Sequence, residues 1–159
     1  MMKLKGREKY FWERNFNIKS LSDMPERISG IKGIDSSHDD EFFSYLTSRI
    51  TQMDAIHLRC TNLTDEGVKY IARVKNLREL TLKDHQHISS ASLPYINQLT
   101  ELEYLDISKN NILLQDLFKL TQLKKLKQLI ISSDLEEKEM QEEMEKLKAH
   151  FPGCEITHY

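Results

Sequence analysis

Met53-x-x-Ile56-x-Leu58 is followed by Leu77-x-x-Leu80-x-Leu82, Leu102-x-x-Leu105-x-Ile107 and Leu126-x-x-Leu129-x-Ile131, one pattern written repeatedly along the chain. The first residues of these units stand 24, 25 and 24 positions apart. Other apolar residues keep the same phase between them: Leu63, Ile88 and Ile112; Val68, Leu93 and Leu117; Ile71, Ile96 and Leu120; Val74, Leu99 and Leu123. Apolar positions that recur in step over successive periods mark a structural repeat.

The spacing within a unit has a physical reading. The last two apolar residues of each triplet are two apart, so they share one face of a short strand. Val68, Ile71 and Val74 fall at helical spacing, close to one stripe. Each unit is therefore expected to be a strand followed by a helix that returns on the opposite side. A single unit cannot bury its apolar face, but stacked neighbours can, with a continuous core beneath a parallel sheet.

On these residues the chain resembles the leucine-rich-repeat proteins over 53–131 and, more loosely, over 28–158. Leu63-Thr64-Asp65-Glu66-Gly67-Val68 is similar to the start of the helix in the ribonuclease-inhibitor-like and cysteine-containing repeat subtypes. The resemblance implies an α/β fold, a right-handed leucine-rich-repeat solenoid or horseshoe of about five to six strand–helix repeats. A parallel sheet would form one face and helices the other, and the strand face would bind a partner. After the strand, where such repeats carry asparagine or cysteine, this chain has Asn110 once, with Ser36, Thr61, His85 and Asp134 in the other units.

Working outward, residues 28–52 read as a degenerate repeat, with Ile28, Ile31 and Ile34 for the strand and Phe43 and Leu46 for the helix. Ser37, Asp39 and Asp40 supply capping and first-turn acids there. Pro94 requires a short helix in its unit, because proline is tolerated only in the first turn. The segment SSDLEEKEMQEEMEKLKAHF reads as the longest helix, with Leu135, Met140, Met144 and Leu147 as its apolar face and its charges in solvent. Phe151-x-x-Cys154-x-Ile156 repeats the triplet 25 residues beyond Leu126 and is expected to be an edge strand. Residues 1–27 fall outside the repeat. Tyr10, Phe11, Trp12 and Phe16 make them an N-terminal aromatic cap over the open end of the core, ahead of a leucine-rich-repeat domain at 28–159 in one globular unit.

Composition narrows the function. With 159 residues, a formal charge of -2 and 30% charged residues, the chain gives no electrostatic reason to expect nucleic acid or an anionic membrane. No run approaches the roughly 18 apolar residues of a membrane-spanning helix. The basic start, MMKLKGREKYFWERNF, has no apolar core of a secretory signal, and the two cysteines make no disulfide framework. A cytoplasmic protein is expected.

No G-x-S-x-G, P-loop, G-x-G-x-x-G or H-E-x-x-H occurs, so neither an enzyme nor a cofactor is expected. A thiol or metal centre around His57, Cys60 and His85 is the chemical alternative, since Cys60 and Asp84 occupy equivalent repeat positions. The outward strand rows place His57, Arg59, Glu79, Lys83, Tyr104 and Asp106 together. Arginine and tyrosine are enriched at binding hot spots, and mixed charges favour selectivity. The expectation is a monomer or weak dimer that binds another protein through these six residues. Having little beyond its repeats, it would act by occupying its partner, as a stoichiometric inhibitor, immunity protein or antitoxin. An adaptor or assembly subunit of a larger complex is the other binding alternative.

Overall fold

The computed structural model describes residues 3–159. Helix α1 (Gly6–Phe16) precedes strand β1 (Ile28–Ile34), helix α2 (Asp40–Arg49), strand β2 (Met53–Arg59) and helix α3 (Asp65–Ile71). Strands β3 (Glu79–Lys83) and β4 (His85–Ser89) then lead to helix α4 (Leu93–Ile96), strand β5 (Tyr104–Asp106) and strand β6 (Asn110–Asn111). A 3-10 segment (Leu114–Lys119), strand β7 (Gln128–Ile131), helix α5 (Glu137–His150) and strand β8 (Glu155–His158) follow.

The main sheet has six strands in the order β1-β2-β3-β5-β7-β8, and every pairing is parallel. The repeated apolar residues meet across it in direct register: Ile31 with Ile56, Ile56 with Leu80, Leu80 with Leu105, Leu105 with Leu129, Leu129 with Ile156. All six are buried, in one core that continues into Leu63, Val68, Leu93 and Leu117 on the opposite layer. Hydrophobic burial along this row therefore sets which strand lies beside which.

The horseshoe does not form. The chain is a mixed α/β structure, one large parallel sheet with interspersed helices and no curled or closed solenoid shape, so the identification as a leucine-rich-repeat protein is corrected. The layer opposite the sheet supplies a reason. Packed helices stand about 8–10 Å apart while strands stand about 4.8 Å apart, so a full helix in every unit wedges a stack into a curve. Here that layer thins from ten residues in α2 to seven in α3 and four in α4. It then gives way to a six-residue 3-10 segment, a tighter coil. With so little helix across the middle units, nothing forces the sheet to curl.

Polar side chains tie successive units together behind the strands. Asp40 accepts from the Thr64 amide at 2.8 Å and from its hydroxyl at 2.6 Å. One unit later Asp65 accepts from the Ser89 amide at 2.8 Å and its hydroxyl at 2.7 Å. Thr64 and Ser89 in turn accept from the amides of Glu66 and Ala91, capping the next helical turn. Each carboxylate thus holds the cap of the following unit through two charge-assisted bonds. Asp65→Ala should cost about 1.5–3 kcal/mol, the range for bonds to an ionised group. A urea double-mutant cycle with Ser89→Ala should place only the hydroxyl share of that loss in the coupling, because the alanine variant keeps the backbone amide that donates to Asp65.

Helix α1 lies against α2. Phe11 stacks on Tyr45 at a centroid distance of 5.2 Å and meets Phe42 edge-on at 5.2 Å, while Trp12 is fully buried. Tyr10, by contrast, is exposed, with Arg14 over its ring.

Candidate functional site

The six strand-face residues lie on neighbouring strands, and most of them are engaged within the fold. His57 on β2 faces Thr81 and neighbours Glu79 on β3: its Nδ1 lies 2.9 Å from Thr81 Oγ1 and its Nε2 3.1 Å from Glu79 Oε2. Lys83 Nζ sits 4.7 Å from the centroid of the Tyr159 ring. Tyr104 on β5 lies beside Glu79, and burial, with Asp106 second, raises its pKa. Asp106 is only 5% exposed; its Oδ1 accepts from the Ser108 amide at 3.0 Å and the Ser108 hydroxyl at 2.6 Å. Arg59 is exposed at the end of β2. The strand face does not support a recognition surface, nor an inhibitor, immunity or antitoxin role built on it, and that expectation is corrected.

The three residues of the chemical alternative, His57, Cys60 and His85, each find a different partner. Strands β1, β2 and β3 are each followed directly by a left-handed residue, Asp35, Cys60 and Asp84, and β5 is followed by Lys109 three residues on, at φ 46, 52, 62 and 56. Asp35, Cys60 and Asp84 each donate their amide to a carbonyl in the next unit, which holds these turns in line. Cys60 Sγ consequently donates to Asp84 Oδ2 at 3.3 Å, not to a histidine. That bond, followed by burial and the nearby carboxylates, raises the thiol pKa, which opposes the thiolate a nucleophile or metal ligand needs. Among the described residues no group of three or more histidine, cysteine or acidic side chains could hold a metal ion. Cys60 and Cys154 are both free, and burial pushes the Cys154 pKa up to about 11.

The residues after the left-handed turns form a short polar ladder. Thr61 Oγ1 lies 2.9 Å from His85 Nε2, and the His85 amide donates to Asn110 Oδ1 at 2.8 Å. Asn110 Nδ2 donates back to the Leu82 carbonyl at 2.6 Å. His85 is buried, its Nδ1 has no hydrogen-bond partner, and burial lowers its pKa. The folded protein then binds this proton less readily than the unfolded chain. Its contribution to stability is present above the ordinary histidine pKa of about 6.5 and is lost as pH falls below it. His38 shifts the same way, with burial outweighing Asp39. The urea midpoint should therefore drop between about pH 7.5 and pH 5.5, and His85→Asn should shrink that drop.

A different surface opens at the carboxyl ends of β5, β7 and β8. Its walls are residues 109–115, which include β6 and the start of the 3-10 segment, residues 132–135 after β7, one side of α5 and Tyr159, around about 850 Å³. The loops are held by the Lys109 amide donating to Ser132 Oγ at 2.6 Å and the Leu135 amide donating to Ser133 Oγ at 3.1 Å. Leu114 is buried beneath, whereas Leu113, Leu135 and Tyr159 are 56%, 40% and 64% exposed. A search of known protein families and of curated proteins finds no match to this chain. What the groove can do follows from its own chemistry.

Sequence periodicity misses this groove. Leu135, counted with the apolar stripe of α5, precedes the helix, which starts at Glu137, and stands in solvent while Met140 and Leu147 face the core. One signal was available: Leu113 and Leu114 are adjacent, and a single inward repeat position cannot bury both.

Proposed function

We propose that this chain is a non-enzymatic recognition domain that binds another protein in the groove between Leu113, Leu135 and Tyr159. The observation that carries the reading is convergence. Of the large apolar side chains exposed among the described residues (Tyr10, Ile34, Leu113, Leu135 and Tyr159), three line this groove. Scattered surface leucines are ordinary, but apolar side chains gathered around a concavity with polar edges mark an interaction site. The carboxylates at its margin, Asp134, Glu139 and Glu142 among them, disfavour nucleic acid and anionic lipid, both of which present phosphate. No helix among the described residues is long and apolar enough to cross a membrane. The two free thiols suit a reducing cytoplasm, and we place the molecule there as a monomer or weak dimer.

Site-specific photocrosslinking tests the reading. With benzoylphenylalanine in place of Leu135, the full chain should capture a protein partner in native lysate, and Leu113→Ser should abolish the capture. With the same group in place of Thr81, on the strand face, no partner should be captured. Capture from Thr81 and none from Leu135 would sink the groove as the site.

A further inference from the structure

We propose that the groove takes a cationic amphipathic segment of its partner, with apolar side chains against Leu113 and Leu135 between lysines or arginines that face α5. The inference rests on the groove reading above and adds the chemistry of the occupant. Four carboxylates line the groove (Asp134, Glu139, Glu142 and Glu143) against one lysine, Lys109. The net charge of the lining is thus -3, while the whole chain carries a formal -2. Glu143 pairs with Lys146 at 2.6 Å. Asp134, Glu139 and Glu142 make no ion pair among the described residues.

The helix itself explains only part of this arrangement, through Lys146 beside Glu143 and the first-turn position of Glu139. Glu139, Glu142 and Glu143 stand at i, i+3 and i+4, so their charges sit on one face and repel. The positive end of the helix dipole favours acids in the first turn, which covers Glu137 and Glu139 but fades before Glu142 and Glu143. A cation bound from outside relieves the repulsion. Charge alone does not describe the occupant, because a hydrated metal ion or a polyamine would leave Leu113 and Leu135 in water. Apolar and cationic groups on one peptide satisfy both halves of the groove.

Fluorescence anisotropy on the full chain tests this with two labelled synthetic peptides of equal leucine content, one alternating leucine with lysine and one alternating leucine with glutamate. The lysine peptide should bind at least about tenfold more tightly, and its affinity should fall as salt rises from about 0.05 to 0.5 M and the screening length contracts. Glu139→Lys/Glu142→Lys should reverse the preference, and Leu113→Ser/Leu135→Ser should abolish binding of either peptide. These are exposed positions, and circular dichroism is the check that each variant folds. Equal binding of both peptides, lost on the leucine substitutions, overturns the cationic occupant and leaves the groove standing. No binding of the lysine peptide, with crosslinking from Leu135 intact, does the same. Lysine-peptide binding that survives the leucine substitutions places the contact elsewhere and removes both claims. Concentration-dependent self-association that Glu139→Lys/Glu142→Lys abolishes would make the occupant a second copy of this chain and overturn the proposal.

Discussion

Trp12→Ala should destabilise the protein by about 3–5 kcal/mol, the cost of truncating a large buried aromatic residue. Trp12 is fully buried at the end of the core, with the Phe11 and Phe16 rings at centroid distances of 5.1 and 5.2 Å. Its removal leaves a cavity bounded by side chains that are themselves anchored, Phe11 by Phe42 and Tyr45 on α2. The site has little freedom to collapse. For a chain of this size the loss corresponds to a fall in Tm of about 10 °C. Trp12→Phe separates packing from polarity. The indole Nε1 is buried without a hydrogen-bond partner, so phenylalanine gives up area but also deletes an unsatisfied donor, whose burial costs about 1–3 kcal/mol. The phenylalanine variant should therefore lose far less than the alanine variant in urea unfolding. If alanine costs under about 1 kcal/mol, α1 lies outside the cooperative unit, and the end of the core is stable without it.

Gly67→Ala should also destabilise, by about 2–4 kcal/mol, although helix propensity alone predicts a gain of about 1 kcal/mol. A methyl group on Gly67 would stand 2.2 Å from Leu63 Cδ1 and 2.3 Å from Asp40 Oδ1. Both obstacles are the ends of side chains, yet neither is free to move. Leu63 is in the buried core, and the Asp40 carboxylate is held by its two bonds to Thr64. Displacing Asp40 loses charge-assisted bonds, and displacing Leu63 strains the packing. In an Asp40→Ala background half of the obstruction is gone, so Gly67→Ala should cost measurably less there than in the parent protein. Additive losses in that cycle would rule out the clamp as the cause.

The strand positions were legible in the sequence because they depend on local spacing and on burial. A triplet whose last two apolar residues are two apart places Leu80 and Leu82 on one face, and the period of 24 to 25 residues sets Leu80 beside Ile56 and Leu105. The short helix around Pro94 was legible for a similar reason, since a ring without an amide proton restricts its position in any helix. The curled horseshoe was not a property of that spacing. Curvature depends on how wide each unit is on the two sides of the core, and the width at Leu114–Lys119 was settled when a 3-10 segment formed there.

The surface was less legible still. Strand alternation assigned Asp106 outward beside Thr81 and Ile130, and the register agrees, yet its carboxylate turns to hold Ser108 and is buried. His57 and Glu79 are close in the sheet, as their rows imply, and that closeness makes them partners of each other. Leu135 fits a helical stripe by spacing but lies before the helix.

By itself, then, the sequence determined the parallel sheet, the order and register of its strands and the repeated apolar residues of 53–131 that fill its core, because apolar periodicity is written locally and burial drives it together. Only the tertiary structure decided the uncurled shape, the pairing of His57 with Glu79 on the strand face and the groove at Leu113, Leu135 and Tyr159. Those features depend on where side chains from distant parts of the chain converge, and no periodic pattern along the chain encodes that distance.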